Sequence, residues 1–298
     1  MSTPRVYVVI PAHNRCRLTL ACLRTLKAQY YRSVTTVVID DGSTDGTAVA
    51  VREEFPSVVV LQGDGNLWWT GAVNMGVAWV LARCADSDLV LTLNDDTRVG
   101  PGYIARLVET ARDLPGSLVG SVFVADDEGQ TVIDGGVRVS WMTAKYRVLG
   151  AGRPLLDVQE FGVRELDVDV LSGRGTLVPT NVIRRIGLYD SARLPHYAAD
   201  YEFSRRAARA GFRLCVDRRT VVVSVDEPAA NEPTRSGRSS LRTVMWHLGS
   251  RKSPRCLWYR IQFARLACPW YAQPSFLVCD VTRVIGGAVR DVVFGSRS

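Results

Sequence analysis

Short apolar runs rich in Val and Ile alternate with amphipathic stretches over residues 6–93 of the chain. Short runs of β-branched residues are typical of buried strands. Between them, apolar residues recur every three or four positions, as at Leu18, Cys22 and Leu26, and this spacing predicts helices. Strands alternating with helices in this way predict βαβ units and a parallel sheet. The predicted strands lie at residues 6–10, 34–39, 57–61 and 89–93.

The last of these strands runs into two adjacent acidic residues, Asp95 and Asp96. Two carboxylates at the end of a buried strand repel each other and lose hydration, so they need solvent or a cation. They fit a solvated turn, which Asn and Asp favour. They also fit a site for Mg²⁺ or Mn²⁺, whose coordination substrate phosphates usually complete.

Polar or glycine-containing segments follow every one of the four predicted strands. Ligands of open α/β sheets bind beyond the carboxyl ends of the strands, so we expect these segments to converge on one crevice. Convergence favours a binding site over a set of unrelated turns. The segments are Pro11-Ala12-His13, Asp40-Asp41, Gly65-Asn66 and Asn94-Asp95-Asp96.

After Leu114 the pattern is less regular and predicts short strands with fewer helices. A stretch at 144–165 predicts a loop over the site, and the polar segment 231–240 is the best linker candidate. The predicted strands are 119–124, 131–133, 137–139, 166–171, 176–179, 212–216 and 220–225, and the predicted helices are 182–186 and 198–210.

The net charge of +7 resides in the C-terminal tail. Residues 232–298 hold 11 Lys and Arg against 3 Asp and Glu, a balance of +8, so residues 1–231 carry −1. This distribution argues against a nucleic-acid-binding core. The tail mixes arginine with aromatic and aliphatic residues, so we expect helices that either pack back on the preceding domain or dock on anionic lipid.

The cellular setting is expected to be cytoplasmic, either free or peripheral on the inner face of the plasma membrane. No apolar stretch approaches the ~18 residues of a membrane-spanning helix. No signal peptide precedes the first strand. The seven cysteines show no metal-finger spacing, so we interpret them as reduced thiols.

Five segments occur in the order and spacing of family 2 glycosyltransferases, which the chain resembles over about Val6 to Asp226. The resemblance is closest to bacterial sugar transferases of cell-surface polysaccharide assembly, a group that includes rhamnosyltransferases. The segments are VVIPAHNR, VVIDDGSTDGT, GNLWWTGAVNMG, LTLNDDT and HYAADYEFSRRAARAGF.

This resemblance implies a GT-A fold, which is Rossmann-like with a mostly parallel central sheet and helices on both faces. It implies a catalytic domain at 1–230, with a nucleotide-sugar-binding half at 1–114 and an acceptor-binding half at 115–230. Residues 231–298 would then form a basic, amphipathic helical extension. The implied partners are a UDP- or dTDP-linked sugar donor, Mg²⁺ or Mn²⁺, and a saccharide or lipid-linked acceptor, with inversion at the anomeric carbon.

The resemblance also implies roles for individual residues. Asp96 matches the last acid of the family's DxD motif and would bind the metal. Asp200 matches the second acid of a Glu-Asp pair and would be the general base. Asp95 would reach the ribose or the diphosphate, and Asp40 or Asp41 would bind the nucleotide base. The other donor-side candidates are Pro11, Ala12, Asn14, Asn66, Trp69, Asn74 and Asn94.

Two positions depart from the family's pattern. Ala199 stands where the family has the Glu of the Glu-Asp pair, which leaves the base itself intact. Val73 precedes Asn74 where an Arg is often found, which leaves the nucleotide base and donor specificity open.

Each of the remaining candidates has a structural alternative. Asp200 near a helix start could be a helix cap. The paired Trp68 and Trp69 could be packing residues, although their position makes one of them a candidate wall of the donor pocket. Arg174 could be a solvated loop residue or could contact the donor phosphate or an anionic acceptor. His196 could lie at the surface or face the acceptor.

Other function classes fit the sequence less well. A nucleotidyltransferase needs a glycine-rich basic loop near the N-terminus, and PAHNRCR has no glycine. A dehydrogenase needs GxGxxG after the first strand, which is absent. A non-catalytic nucleotide-sugar-binding or scaffold protein is favoured only by Ala199, and the intact Asp96 and Asp200 oppose it.

Overall fold

A computed structural model of the protein describes residues 3–225 and 241–294. The predicted linker at 231–240 lies outside the described residues. The strands in chain order are β1 (Val6–Ala12), β2 (Val34–Asp40), β3 (Val59–Gln62), β4 (Leu89–Thr92), β5 (Thr97–Val99), β6 (Leu118–Val124), β7 (Val132–Asp134), β8 (Val137–Ser140), β9 (Lys145–Val148), β10 (Arg164–Glu165), β11 (Thr176–Pro179) and β12 (Leu214–Ser224).

Helices connect and flank these strands. They are α1 (Cys16–Lys27), α2 (Thr47–Glu54), α3 (Trp68–Leu81), α4 (Tyr103–Asp113), α5 (Leu155–Gln159), α6 (Thr180–Ile186), α7 (Ala199–Arg209), α8 (Leu241–Gly249), α9 (Leu257–Ala267) and α10 (Gln273–Phe294), with a 3₁₀ turn at Trp270–Ala272.

One large sheet forms the centre, in the strand order β10-β12-β6-β11-β4-β1-β2-β3. Strands β4, β1, β2 and β3 are parallel to one another, as predicted, and β6 pairs in parallel with β12. Between these two parallel parts, β11 runs antiparallel to both β4 and β6. A separate hairpin is formed by β8 and β9.

The first strand is apolar throughout because both of its faces are covered. Tyr7 and Val9 pack in the core on the side of α3, while Val8 and Ile10 pack on the side of α1 and α4. Contact with α3 is close at Gly76, where a Cβ atom would lie 2.6 Å from Val9 Cγ1. Covered on both faces, the strands present only their carboxyl ends to a ligand.

The C-terminal helices pack against the rest of the fold. Phe263 of α9 and Phe276 of α10 share a buried apolar cluster with Val139 of β8 and Val170. The indole of Trp141 stacks on both phenyl rings, at centroid distances of 6.3 and 5.9 Å. Within residues 3–225 and 241–294, no helix has both the length and the apolar character needed to cross a membrane.

Several elements differ from the sequence-based prediction. Residues 166–171 form no named strand: Val170 makes a single backbone bridge to Val137 of β8, and beyond it the Asp169 side chain takes over, since its Oδ2 accepts the backbone N–H of Val139 at 2.8 Å. The two strands expected at 212–216 and 220–225 are one strand, β12, whose pairing shifts between Asp217 and Val221. The stretch 144–165 holds β9, α5 and β10 rather than one loop, and β5 was not predicted.

Candidate active site

The carboxyl ends of β1, β2, β3 and β4 converge on one opening of about 660 Å³, here called the strand-end crevice. Each strand is followed by at least one residue that lines it. Its lining includes Pro11, Ala12, Asp41, Asn66, Asp95 and Asp96.

Asp95 and Asp96 lie at the floor of this crevice beside Arg15. Arg15 Nη1 is 2.7 Å from Asp96 Oδ2 and 3.5 Å from Asp95 Oδ1. Asp95 is only 5% exposed, and its Oδ2 is buried without a hydrogen-bond partner. Burial raises the pKa of Asp95 to about 7; Arg15 opposes this rise and Asp96 adds to it.

This carboxylate pair fits a hard divalent cation. A buried oxygen without a partner is costly, and a cation at that oxygen would satisfy it. Among the described residues no cluster of three or more His, Cys, Asp or Glu side chains could hold a metal alone. Asp95 and Asp96 could therefore supply only part of the coordination, and phosphate and water oxygens would supply the rest.

Asp41 organises the loop that leads into α3. Its carboxylate accepts the backbone N–H groups of Gly65, Leu67 and Trp68 at 2.8, 3.0 and 3.1 Å. A Cβ atom at Gly63 would lie 2.5 Å from Asp41 Oδ1, so the loop can approach this closely only with glycine there. Asp41 is buried but still lines the strand-end crevice.

Asp40 faces away from the crevice. Its carboxylate accepts the N–H of Ser43 at 3.1 Å and the side-chain amide of Gln62 at 3.3 Å. Of the two acids predicted to bind the base, Asp41 is therefore the one that a ligand in the crevice can reach.

A second cavity of about 530 Å³, here called the Asp200 cavity, adjoins the crevice. Trp69, Asn94 and His196 line both spaces and mark their junction. The indole N–H of Trp69 donates to Asn94 Oδ1 at 3.0 Å, which fixes the ring between them. His196 Nδ1 is buried there without a partner, and burial followed by the charge of Arg15 lowers the pKa of its imidazole.

Asp200 lies in the first turn of α7 and faces the second cavity. Its Oδ2 accepts the N–H of Gly173 at 2.8 Å, and its Oδ1 accepts the N–H of Tyr201 at 2.9 Å. Burial raises the pKa of Asp200, although these two donors and Arg174 partly offset the rise. A carboxylate with a raised pKa in a cavity is a stronger proton acceptor than an exposed one. The N-cap position of the helix is Ala198, so Asp200 is not the cap residue.

Gly173 permits the close packing around this acid. A Cβ atom there would lie 2.5 Å from two ring atoms of Trp69 and 3.3 Å from Asp200 Cβ. The neighbouring Arg174 also lines the Asp200 cavity, and its guanidinium carbon is 4.0 Å from the Phe123 ring centroid.

The backbone is strained beside both spaces. Asn14, Trp68 and Ala198 have φ values of 52°, 56° and 63°, in the left-handed region that non-glycine residues rarely adopt. Such conformations persist only where the surrounding structure holds them, and they cluster at functional sites.

Besides Asp40, two predicted donor-side residues, Asn74 and Asn14, line neither space. Both oxygen and nitrogen of the Asn74 amide bind the backbone of Tyr189, at 3.0 and 2.8 Å. Asn14 Oδ1 accepts the N–H of Thr44 at 2.8 Å and ties the β1 and β2 loops together. Their polar sequence context resembles that of ligand-binding residues, but their amides hold backbone segments in place.

Other lining residues were not predicted. Arg15 lines the strand-end crevice two residues after His13, whose segment was expected there, and the run after β1 was the available signal. The C-terminal region adds Lys252 to the crevice, and Tyr259, Arg260 and Phe263 to the Asp200 cavity. Nothing in the sequence spacing relates these C-terminal residues to Asp200.

Comparisons with known proteins agree with this geometry. Residues 7–154 match the model of the family described as Glycosyl transferase family 2. The N-acetylglucosaminyl-diphospho-decaprenol L-rhamnosyltransferase of Mycobacterium tuberculosis is 29% identical over 214 residues, which are 64% of this chain and span 66% of that relative's length. An N-acetylglucosaminyltransferase of Azorhizobium caulinodans is 33% identical over 116 residues, 37% of this chain and 28% of that protein.

Solved structures share the fold. The mannosyltransferase of Pyrobaculum calidifontis in complex with GDP-Man and Mn²⁺ aligns over 99% of this chain and 77% of its own, with a TM-score of 0.59 and 18% identity. GalNAc-T7 with UDP, GalNAc and Mn²⁺ aligns over 97% of this chain and 57% of its own, with a TM-score of 0.62 and 14% identity. These likenesses confirm the GT-A fold. The chain belongs to glycosyltransferase family 2 and is akin to the rhamnosyltransferases of that family.

Proposed function

We propose that the protein moves a sugar from a nucleotide-diphosphate sugar to a hydroxyl acceptor, with inversion at the anomeric carbon, in the assembly of a cell-surface polysaccharide or glycolipid. One observation supports this most strongly. The acidic pair Asp95 and Asp96 lies in one space and Asp200 in the adjoining one, and the two spaces meet at Trp69 and Asn94. The leaving diphosphate would thus lie in the strand-end crevice and the proton acceptor in the Asp200 cavity, on opposite sides of one junction.

On the donor side, the strand-end crevice holds the nucleotide diphosphate. Asp96, with Asp95, would bind Mg²⁺ or Mn²⁺, which neutralises charge on the departing diphosphate. Asp41, which lines the crevice, would bind the nucleotide base. Arg15, 2.7 Å from Asp96, keeps the acidic pair oriented and adds positive charge near the phosphates.

On the acceptor side, Asp200 takes the proton of the attacking hydroxyl. The acceptor oxygen forms the new bond to the anomeric carbon while the bond from that carbon to the diphosphate oxygen breaks. The leaving diphosphate carries away the electron pair, and the hydroxyl proton ends on the Asp200 carboxylate. The N–H groups of Gly173 and Tyr201 orient this carboxylate. Positioned general-base catalysis contributes about 10²–10⁴-fold.

For the substrates, we propose a UDP- or dTDP-linked donor and a lipid-linked acceptor. The mycobacterial relative is named for an L-rhamnosyl group as the transferred sugar and an N-acetylglucosaminyl-diphospho-decaprenol acceptor. One structural neighbour was solved with UDP. The Asp200 cavity has aromatic walls, including Tyr146 and Tyr201, which suit the faces of sugar rings.

A lipid-linked acceptor requires the protein to work at a membrane surface, and we propose that the C-terminal helices dock on the inner leaflet. Val278, Ile285 and Val289 of α10 are 67%, 40% and 53% exposed and lie seven and four residues apart, on one face. Trp270, in the 3₁₀ turn that precedes α10, is 83% exposed. An exposed apolar stripe with aromatic and basic neighbours suits an anionic lipid interface.

Liposome flotation tests this docking. Wild type is expected to float with anionic vesicles, and Val278→Ser combined with Trp270→Ser is expected to sediment. Tyr30→Ser is the matched control, because Tyr30 is 68% exposed on the catalytic half. Equal flotation of all three proteins, or none by wild type, would refute membrane docking through this face.

The enzymatic proposal is tested first by donor binding. Thermal shifts with UDP-, dTDP- and GDP-linked sugars, with and without Mn²⁺, should show a metal-dependent rise for one nucleotide class. Asp96→Ala should lose this rise, whereas Asp157→Asn, at an exposed position on α5, should keep it. Release of nucleotide diphosphate should then depend on Asp200. A metal-dependent shift with no turnover on any acceptor would favour the non-catalytic binding protein.

A further inference from the structure

The Asp200 cavity is walled on one side by the C-terminal region. Helix α9 packs on α7, which carries Asp200, and contributes Tyr259, Arg260 and Phe263 to the lining. The rings of Tyr259 and Tyr197 meet edge to face at 5.8 Å, and the Trp258 indole N–H donates to the carbonyl of Arg193 at 3.1 Å. These contacts fix the position of Arg260 relative to the proton acceptor.

Arg260 is only weakly neutralised by protein groups. Its Nη1 is 3.4 Å from Asp280 Oδ1, and Nη2 is 3.4 Å from the carbonyl of Pro254. Asp280 is shared with Arg283 at 3.9 Å, and its other oxygen is buried without a partner. Asp280 therefore contacts one terminal nitrogen of the guanidinium at long range, while Arg260 still lines the cavity with 29% of its side chain exposed.

Arg174 provides a second cation in the same cavity. Within residues 3–225 and 241–294 no carboxylate oxygen is recorded within 4.0 Å of its guanidinium. Its Nε donates to Ser172 Oγ at 3.2 Å, and its plane lies near the Phe123 ring. The lining carboxylate, Asp200, already accepts two backbone N–H groups. The lining of the cavity thus holds two arginines and one acid, Asp200, while Asp280 and the buried Asp134 act on those arginines from outside the lining.

We infer that the acceptor carries a phosphate or diphosphate group, which Arg260 and Arg174 bind while the acceptor hydroxyl faces Asp200. Guanidinium groups match phosphate oxygens in a bidentate manner, and a cation in an aromatic cavity is costly unless an anion joins it. A cavity of about 530 Å³ has the size of ordinary ligand pockets and accommodates a sugar with its phosphates. This inference rests on the proposed function and adds the chemical class of the acceptor and an acceptor-binding residue outside the matched family region.

Two probes separate the anion from the sugar. A short-chain alkyl N-acetylglucosaminyl diphosphate and the neutral alkyl N-acetylglucosaminide share the sugar of the relative's acceptor and differ in the diphosphate. Isothermal titration calorimetry should show at least tenfold tighter binding of the diphosphate by wild type. Arg260→Gln should lose this preference because one charged hydrogen-bonding group is worth roughly 10- to 100-fold in affinity.

Two further variants of α9 are measured with the same two probes. Arg260→Lys retains charge beside Asp280, so it should fold and recover part of the preference, which separates recognition from folding. Arg265→Gln, at an exposed position on the same helix, should behave as wild type. Equal binding of both probes by wild type, or no binding of either, would overturn the inference.

Titration of UDP with Mn²⁺ distinguishes the two possible owners of the anion. If Arg260→Gln weakens nucleotide binding as much as probe binding, the arginine serves the donor and the inference is overturned. If wild type binds no donor nucleotide, the proposed function itself is overturned, and the thermal-shift screen of donors tests that independently.

Discussion

Gly173→Ala tests the junction of the two spaces with one added methyl group. The new Cβ would lie 2.5 Å from the Trp69 ring and 3.3 Å from Asp200 Cβ, so either the ring or the loop must move. The ring is tied to Asn94 and the loop N–H is bonded to Asp200, so a shift breaks one of these contacts.

The effect on kcat follows from lost orientation of the base. Gly173 N–H is one of two groups that orient Asp200, and positioned general-base catalysis contributes about 10²–10⁴-fold. Partial loss of that positioning should lower kcat roughly 10- to 100-fold. Crowding in a packed region should also lower the free energy of unfolding by about 1–3 kcal/mol.

The pH dependence gives a sharper readout. The Gly173 N–H stabilises the ionised form of Asp200 and holds down a pKa that burial raises. Without this donor the pKa rises further, so the acidic limb of the kcat profile should move to higher pH in the variant. Continuous detection of released nucleotide diphosphate across pH measures the limb.

Gly100→Ala is the matched control for this substitution. A Cβ atom at Gly100 would meet nothing within 4 Å, and its φ is not in the left-handed region. We expect its unfolding free energy to stay within about 0.5 kcal/mol of wild type, with unchanged activity. If Gly173→Ala matched this control in kcat, in its acidic limb and in stability, the described packing at the junction would be refuted.

Three other substitutions should change activity and stability separately. Asp200→Asn should lower kcat at least 100-fold. Because the folded-state pKa of Asp200 is raised, its ionisation above that pKa costs stability, and Asn removes this cost. The variant should therefore melt at a higher temperature than wild type at neutral pH, and by a smaller margin in acid. An equal or lower melting temperature at neutral pH would contradict this. Ala198→Gly relieves a left-handed residue, which costs about 1–2 kcal/mol, against about 0.5–1 kcal/mol of glycine entropy, so urea titration should show a net gain below about 1.5 kcal/mol, and a loss would argue against strain. Asn74→Ala should lose about 1–3 kcal/mol of unfolding free energy yet bind nucleotide normally, and the reverse result would return Asn74 to the donor site.

The fold of residues 1–114 was predictable because the sequence signals for its strands and helices are local. Alternating apolar runs fix the order of strands and helices, and parallel strands must place their carboxyl ends at one edge. Asp41, Asn94 and Asp96 follow from that rule alone. The position of Asp200 needed more than spacing, because a helix start is equally suited to a capping acid.

The remainder depends on contacts between distant parts of the chain. Arg15 meets Asp96 across 81 residues, and no periodicity encodes that pairing. Residues 166–171 alternate like a strand, yet their pairing with β8 is a single bridge between Val170 and Val137, beyond which Asp169 binds the β8 backbone with its side chain. Arg260 reaches the cavity only because α9 packs on α7, which depends on the apolar cluster around Phe263.

The two adjoining spaces draw on different lengths of the polypeptide. The acidic pair and Asp41 fall within residues 7–154, the stretch common to the family, whereas Arg174, Asp200 and Arg260 all follow it. On the proposed function, substitutions after residue 154 can change which molecule receives the sugar while leaving the acidic pair and Asp41 unchanged. Chimeras that exchange the chain after residue 154 between relatives should inherit the nucleotide preference of the first parent and the acceptor preference of the second.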